Sequence, residues 1–375
     1  MLHDMIPLAR PNIGPRELAA AQSALRSGWL GMGPAVERFE GAVAAYVGAR
    51  HCVAVSSGTS ALHLALETVG VRGSEVVVPS LTFAATVQAI LAAGGIPVFA
   101  DCRADDLNLD VDDAAARLNR RTRAVVAVDY AGRPADLARL IPLAEARGAV
   151  VIEDAAHAFG SAYADGTRVG SGAHLTCFSF DPIKTITCCE GGAVCTSNEL
   201  WAEQIRRKRR LGIRTLRGPA PDRRYRVVEP GFRCHLNDVN AAVGLAQLER
   251  ADELIAARRR AAHLYDERLR GLPGLALLRH DLSREAPFCY TVRVLGRGRR
   301  ALMRSLAAAG IETAVLYPPN HREPAFAAFA ASLPTTERIS SEHMSLPLFA
   351  GISDAQVDHV ITRIASHRHR RDLPA

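Results

Sequence analysis

Short apolar runs alternate with amphipathic stretches through the first two thirds of the chain. Runs rich in valine and isoleucine predict buried strands at residues 52–57, 75–80, 96–101, 124–130 and 149–154. The other stretches have helical periodicity and predict helices at residues 14–27, 61–70, 84–95 and 137–148. Two later segments, 174–180 and 191–197, predict neighbouring strands. Apolar strands separated by helices indicate an α/β fold with a mostly parallel sheet covered on both faces.

The pattern changes after about residue 250. A long arginine-rich helix at 252–270 precedes a strand-like segment at 288–295, a helix at 298–309 and an apolar segment at 311–317. Ser353, with Gln356 three residues on, has the spacing of a capping box and predicts the start of the last helix. We therefore expect a large domain at residues 1–250 and a smaller C-terminal α+β domain at 251–375.

Composition narrows the class of protein. With 375 residues, 48% of them hydrophobic, the chain can bury a sizeable core in more than one domain. The formal charge is +7, but its arginines are spread along the chain rather than gathered in one motif among aromatics. A nucleic-acid partner is therefore not expected.

The cysteines and the apolar segments exclude two further classes. The eight cysteines lack the spacing of a zinc site, so no metal is expected. No apolar stretch is long enough to span a bilayer, and the first residues lack the apolar core of a signal peptide. We expect a reduced, cytoplasmic protein with no membrane association.

Lysine usage points to a candidate for chemistry. The chain has two lysines, Lys184 and Lys208, among 46 basic residues. Where arginine has replaced lysine almost everywhere, a surviving lysine is a candidate for a reaction that a guanidinium cannot perform, such as Schiff-base formation. Lys208 lies in RRKRR and is interpreted as part of a solvated basic stretch. Lys184 lies just beyond a buried strand, although an ordinary loop lysine would look the same.

A small-residue turn follows the first strand, in SSGTSALHLAL at residues 56–66. Gly58, Thr59 and Ser60 would place backbone N–H groups and hydroxyls at the start of a helix, where an anion such as a phosphate binds. A plain helix cap without a ligand is the alternative interpretation.

Polar and aromatic residues follow other strands of the predicted sheet. Asp154 and His157 follow the strand at 149–154, Phe83 follows the strand at 75–80, and Ser179 lies near the end of the strand at 174–180. Taken singly, these are equally a helix N-cap, a structural histidine, a core aromatic and a hydroxyl on a strand. Taken with Lys184, all would project from one edge of the sheet, where ligands bind in open α/β folds.

On these motifs the chain resembles the DegT/StrS-type sugar aminotransferases, which have the type I fold of pyridoxal-phosphate enzymes. The resemblance covers nearly the whole chain. In family order it includes IPLARPNIGPRE, LRSGWLGMGPAVERFE, SSGTSALHLAL, EVVVPSLTFAAT, PVFAD, VIEDAAHAFG, RVGS, CFSFDPIKTIT, EGGAV, GFRCHLNDVNAAVGLAQL and SLPLF. It implies a large domain with a mostly parallel sheet and a smaller C-terminal α+β domain.

The resemblance also implies roles for residues. Lys184 would hold the pyridoxal 5'-phosphate as a Schiff base and carry the proton, and Asp154 would pair with the pyridine nitrogen. Phe83 would stack on the ring, and His157 would lie beside its phenolic oxygen. The residues that would hold the phosphate are Gly58, Thr59, Ser60 and Ser179, with His235 reaching it from the other subunit of a homodimer. Asp181 and the pair Cys188–Cys189 depart from the usual family motifs.

The implied reaction transfers an amino group from L-glutamate to a keto sugar, a nucleotide-linked 3- or 4-keto deoxysugar in the first interpretation. Arginines at 206–217 would contact the diphosphate in that case, although a solvated helix face explains most of them. An aminotransferase for a keto-cyclitol without a nucleotide is the alternative. A non-catalytic regulatory relative or a nucleic-acid-binding relative is a more distant one.

Overall fold

The computed structural model describes residues 5–216 and 224–369. The helices are α1 (Pro15–Arg26), α2 (Pro34–Val47), α3 (Gly58–Val69), α4 (Ala84–Ala92), α5 (Val111–Arg117), α6 (Leu137–Glu145), α7 (Glu199–Lys208), α8 (Asp238–Leu248), α9 (Ala251–Leu269), α10 (Arg299–Ala308), α11 (Pro334–Glu342) and α12 (Asp354–His369). The strands are β1 (His51–Val55), β2 (Glu75–Pro79), β3 (Ile96–Ala100), β4 (Thr122–Val128), β5 (Val150–Asp154), β6 (Leu175–Ser179), β7 (Gly192–Thr196), β8 (Ile213–Thr215), β9 (Tyr225–Val227), β10 (Leu275–Leu277), β11 (Tyr290–Val294) and β12 (His343–Leu346).

The large sheet has seven strands in the order β1-β7-β6-β5-β4-β2-β3. Strands β3, β2, β4, β5 and β6 are parallel, and β7 runs antiparallel to its two neighbours β6 and β1. The carboxyl ends of β1, β2, β5 and β6 therefore meet at one edge. The predicted α/β fold with a mostly parallel sheet is confirmed, and the runs predicted as strands form β1 to β7.

Both faces of this sheet are buried. Apolar side chains of α3 and α4 pack on one face, and those of α2 and α8 lie in a second cluster on the strands. The valines of the central strands, among them Val53, Val76 and Val126, are fully buried. This explains why the strands appear in the sequence as continuous apolar runs rather than as alternating patterns.

A second, three-stranded antiparallel sheet has the order β10-β11-β12 and packs with α9, α10 and α12. The capping box that begins the last helix is present, because Ser353 and Gln356 each accept the other's backbone N–H. The apolar segment at 311–317 forms no strand, only isolated bridges at Ile311 and Ala314. Pro318 and Pro319 follow it and have no N–H for a ladder. The third strand of this small sheet is β12, which the periodicity of the sequence did not predict.

The apolar cores of the two predicted domains do not divide cleanly at residue 250. Ile6, at the other end of the chain, packs in the C-terminal core and bridges Ile311. Ala251 and Leu254, in the first turn of α9, pack instead with the large sheet. The division at residue 250 stays a prediction. Over the residues described, no helix has both the length and the apolar character needed to cross a membrane.

Candidate active site

A cavity of about 340 Å³ lies where the carboxyl ends of β1, β2, β5 and β6 meet. Seven of the nine predicted site residues line it, namely Gly58, Thr59, Phe83, Asp154, His157, Ser179 and Lys184. The structure thus brings together residues that are up to 126 positions apart in the sequence. Asp181, where the chain departs from the usual motif, also lines the cavity.

Two predicted residues lie outside this cavity. Ser60 is in the first turn of α3, where its N–H and hydroxyl both bond to the Ser57 hydroxyl. His235 pairs with Val55 beside the end of β1, and its buried Nδ1 has no hydrogen-bond partner among the described residues. Neither position contradicts the predicted phosphate role, but neither side chain faces this chain's own cavity.

The start of α3 forms one wall of the cavity. Ser57 caps the helix by accepting the Ser60 N–H, which leaves the N–H groups of Gly58 and Thr59 without an acceptor in the described part of the chain. A Cβ atom at Gly58 would lie 2.7 Å from the Ser179 Cβ, so only glycine fits between helix and strand. Free N–H groups at the positive end of a helix form a site for an anion such as a phosphate.

Asp154 ends β5 and is buried at the base of the cavity. Its Oδ2 accepts a 2.7 Å hydrogen bond from the Thr86 hydroxyl, and Oδ1 accepts a longer one from the Ala156 N–H. Burial raises the pKa of Asp154, an effect that these two donors and the charge of Lys184 oppose. A carboxylate in such a site stabilises a nearby positive charge, such as a protonated ring nitrogen.

Lys184 reaches the cavity from the loop after β6. Its Nζ lies 4.4 Å from the centroid of the Phe288 ring. Burial lowers the pKa of Lys184, while the charges of Asp181 and Asp154 act in the opposite direction. A lowered pKa increases the fraction of neutral amine, which is the nucleophilic form.

A buried arginine fixes the backbone that carries Lys184. Arg258, on α9, donates to the carbonyls of Ile183 and Lys184 from Nη2 and to those of Phe288 and Leu348 from Nη1. Its side chain has no carboxylate partner in the described residues, and burial lowers the pKa of Arg258 to about 10. One cation thus joins the lysine loop to two segments of the C-terminal part.

His157 is bonded at both ring nitrogens. Nδ1 accepts the Ala131 N–H at 3.3 Å, and Nε2 lies 2.7 Å from the Tyr317 hydroxyl. The imidazole stacks on the Phe288 ring, with centroids 4.1 Å apart and planes 10° from parallel. Ala131 has a φ of 61°, an uncommon value for a residue other than glycine, and this turn directs its N–H to the histidine.

Phe83 lies at the rim of the cavity with 60% of its surface exposed. The loop before it is fixed from the C-terminal part, because the Asn320 amide donates to the carbonyls of Ser80 and Thr82. An aromatic side chain that is exposed on a fixed loop beside a cavity is available for stacking on a flat ligand.

Two more carboxyl groups lie behind the cavity. Glu153 points away from it and accepts hydrogen bonds from the hydroxyls of Tyr163 and Thr176. Burial raises the pKa of Glu153 to about 7. Burial and the charge of Glu153 raise the pKa of the neighbouring Asp129 well above its usual value. This pair therefore holds protons at a pH where carboxyl groups are normally ionised.

The environment of Lys208, the second lysine, differs from the one predicted. Lys208 is buried and pairs with Glu67 at 3.1 Å, so its interpretation as part of a solvated stretch is wrong. The reason is that α7 packs on α3, where Glu67 offers a counter-charge. Its neighbours Arg207 and Arg209 also pair with acids, Glu229 and Glu40. Arg217, the last of the predicted diphosphate contacts, lies outside the described residues.

Four residues at or near the site were not identified from the sequence: Thr86, Ala131, Arg258 and Tyr317. Thr86 is one hydroxyl in an apolar stretch, and Arg258 is one of many arginines on a long helix. Tyr317 had the clearest signal, since a tyrosine directly before two prolines lies in a segment of restricted conformation.

The groups at the cavity fit pyridoxal phosphate. They comprise an amine with a lowered pKa, a buried carboxylate, an exposed aromatic ring and a helix end in which a Cβ at Gly58 would have no room. These groups match, in turn, the aldehyde, the ring nitrogen, the ring face and the phosphate of that cofactor.

Comparison with known proteins agrees with this set of groups. Residues 11–365 match the family model of the DegT/DnrJ/EryC1/StrS aminotransferase family. Among solved structures, the sugar aminotransferase CalS13 from Micromonospora echinospora is 34% identical, with a TM-score of 0.91 over 96% of this chain and 100% of that one. AtS13 from Actinomadura melliaura is 36% identical, with a TM-score of 0.90 over 96% of this chain and 98% of that one.

A third similar structure is the PLP form of Spr1654 from Streptococcus pneumoniae. It is 28% identical, with a TM-score of 0.91 over 98% of this chain and 99% of that one. The family match covers far more than half of the chain, and the predicted cofactor, enzyme class and fold are confirmed. The chain therefore belongs to the DegT/DnrJ/EryC1/StrS aminotransferase family and is a pyridoxal-phosphate-dependent aminotransferase.

Proposed function

We propose that this enzyme transfers an amino group from L-glutamate to a nucleotide-linked keto sugar, with Lys184 as the catalytic lysine and Asp154 as the buried carboxylate that pairs with the ring nitrogen of the cofactor. The observation that carries the proposal is the position of the Lys184 amine. It enters a cavity whose walls include the end of β5 at Asp154 and the start of α3. Membership of a sugar aminotransferase family supports a sugar as the acceptor.

Pyridoxal phosphate, when bound, supplies an aldehyde that condenses with amines and a ring that takes up the electron pair released at the adjacent carbon. In the proposed reaction, Nζ of Lys184 is the amine that the substrate displaces, after which it removes and returns the proton at that carbon. Its lowered pKa suits both tasks, because the neutral amine is the base. Arg258 holds the Lys184 backbone while the side chain moves.

The other predicted residues bind and orient the cofactor in this proposal. Asp154 keeps a positive charge on the ring nitrogen, and Phe83 covers one face of the ring. Gly58, Thr59, Ser60 and Ser179 hold the phosphate at the start of α3. His157 occupies the side of the ring that carries the phenolic oxygen.

The charge of the cavity supports a second subunit. Apart from His157, Lys184 is the one basic side chain among the described residues that line the cavity, whereas Asp154, Asp181 and Glu190 are acidic. L-Glutamate and a nucleoside diphosphate both bring negative charge into it. Cations from another chain would balance this charge, so we propose a homodimer with shared sites, in which His235 reaches the partner's phosphate site.

Two pairs of arginines, of which one lies near His235, support an anionic ligand. The register places Arg210 opposite Arg233 and Arg214 opposite Arg226. Like charges directly opposite one another destabilise a strand pair unless an anion lies between them. No acidic partner is found for these four in the described residues, so a diphosphate suits them.

Exposed apolar side chains support the dimer as well. Leu18 and Leu25 lie on one face of α1 and are 64% and 57% exposed, and Trp29 and Leu30 follow at 58% and 54%. A surface with several large exposed apolar side chains is typical of an interface. We further propose a cytoplasmic location, which suits the eight free cysteines.

The test is a substrate screen on the protein converted to its amino form with L-glutamate. Keto-sugar nucleotides and matched keto-cyclitols are added separately, and return of the visible absorbance reports transfer. We expect return with a keto-sugar nucleotide and no return with the cyclitols. Return with cyclitols alone would replace the proposed substrate, and failure of L-glutamate to change the spectrum would reject the proposed donor.

A further inference from the structure

The contacts of His157 determine which of its nitrogens carries hydrogen. Nδ1 accepts the Ala131 N–H, so this nitrogen has a free lone pair. Burial and the charge of Lys184 lower the pKa of His157 well below its usual value, which keeps the ring neutral. A neutral imidazole with an unprotonated Nδ1 carries its hydrogen on Nε2. Nε2–H therefore donates to the Tyr317 hydroxyl at 2.7 Å.

This assignment leaves the hydrogen of Tyr317 free. The phenol is buried, and burial raises its pKa well above its usual value, so the hydroxyl keeps its hydrogen. Oη already accepts from His157, and it has no acceptor for its own hydrogen within the described ranges. Tyr317 lines the cavity beside Phe83, with ring centroids 5.8 Å apart.

We propose that Tyr317, oriented by His157, donates its hydroxyl hydrogen to the phenolic oxygen of bound pyridoxal phosphate. His157, whose Nε2 hydrogen is taken, is then a positioning residue that fixes the direction of the Tyr317 hydroxyl. The two hydrogen bonds that link Ala131, His157 and Tyr317 run from a strained backbone turn to the cavity. The inference rests on the proposed role of Lys184 and adds a residue that no sequence motif identified.

The expected effect follows from electrostatics. The phenolic oxygen carries negative charge and attracts the proton on the Lys184 nitrogen joined to the cofactor. A hydrogen-bond donor reduces that negative charge, so removing the donor raises the pKa of the nitrogen. The other ionisable groups that face this pair are Asp154, Asp181, Cys289 and Tyr130 beside Tyr317 and Lys184 beside His157, and wild type and variant share them.

The experiment is a pH titration of the visible absorbance of the cofactor-loaded, substrate-free protein. In Tyr317→Phe we expect the midpoint to rise by about 0.5 to 1 pH unit, the effect of one hydrogen bond. Tyr130→Phe is the matched control, because the Tyr130 ring meets those of Tyr317 and His157 only edge-on, at centroid distances of 6.0 and 6.4 Å, and does not line the cavity. It should leave the midpoint unchanged.

A second variant separates Tyr317 from His157. His157→Gln keeps an N–H donor for Tyr317 and should leave the midpoint close to that of the wild type. If the midpoint moves in His157→Gln but not in Tyr317→Phe, the histidine itself contacts the phenolic oxygen and the inference is wrong. An unchanged midpoint in Tyr317→Phe with a raised KM for the acceptor also overturns it. Absence of visible absorbance in the wild type would instead reject the role of Lys184.

Discussion

Thr86 and Asp154, 68 positions apart in the sequence, share a 2.7 Å hydrogen bond in which the hydroxyl donates to Oδ2. The Thr86 oxygen in turn lies 2.9 Å from the hydroxyl of Thr82, so the donor is itself held. The orientation of the carboxylate is thus set by the loop after β2 before any ligand binds.

Replacing this donor should weaken cofactor binding. In Thr86→Val the carboxylate loses its shorter hydrogen bond, and the expected cost of about 1–2 kcal/mol corresponds to roughly tenfold weaker pyridoxal-phosphate affinity. Equilibrium dialysis of the apoprotein measures the change. Thr86→Ser keeps the hydroxyl and should bind nearly as the wild type does. Equal affinities in the valine and serine variants would contradict a role for the bond.

The two lysines permit a paired substitution. Lys184→Arg should fold, bind the cofactor without a covalent link and show no transamination, because a guanidinium forms no Schiff base. Lys208→Arg should keep its pairing with Glu67 and its activity. Borohydride reduction followed by peptide mapping checks the assignment, since label on the peptide that contains Lys208 would refute it.

Phe83 should matter for the cofactor and little for the fold. Because 60% of its surface is exposed, Phe83→Leu should change the thermal unfolding temperature of the apoprotein by only a few degrees, while cofactor affinity falls severalfold. Phe288→Leu is the comparison variant, because Phe288 is buried and stacks on His157. It should lower both quantities. A large loss of stability in Phe83→Leu would show that the ring is part of the core.

Glu153 should make the stability of the apoprotein depend on pH. Its pKa rises from about 4.5 when unfolded to about 7 in the folded chain. The folded state therefore holds the proton more tightly, and this stabilisation is complete below pH 4.5 and disappears as the pH rises to 7. Over that window wild type should lose roughly 3 kcal/mol of unfolding free energy relative to Glu153→Gln.

Urea unfolding at a series of pH values measures this difference. Glu249→Gln, at the exposed position directly after α8, is the control and should run parallel to the wild type. Parallel curves for wild type and Glu153→Gln would mean that Glu153 is ionised in the folded chain as it is in the unfolded one.

The central fold could be predicted because its strands are buried on both faces. Such strands are continuous apolar runs, and the runs at 75–80 and 149–154 coincide closely with β2 and β5. The strand β12 was missed because it is four residues long and contains His343 and Ser345. Both polar side chains are buried in the structure, where the Ser345 hydroxyl bonds to that of Thr291 and His343 Nδ1 bonds to the Ile339 carbonyl.

Some residues of the candidate site could likewise be predicted from the sequence, and others could not. Parallel strands bring their carboxyl ends to one edge, so Asp154 and Lys184 could be expected to lie together from their positions after strands. Tyr317 and Arg258 reach the site through packing of the C-terminal part, which no local pattern encodes. Ser60 and His235 lie in the sequence motifs that predict phosphate binding, but they do not face the cavity of their own chain.

The place of β1 in the sheet has a consequence for biosynthesis. It is the first strand to leave the ribosome, yet its neighbours are β7 on one side and the segment around His235 on the other. A nascent chain that stops before Gly192 already contains both the lysine and the buried acid, but its earliest strand has nothing to pair with. The turn at Ser57 and Gly58, against which Gly192 packs closely, is therefore complete only after more than half of the polypeptide has been made.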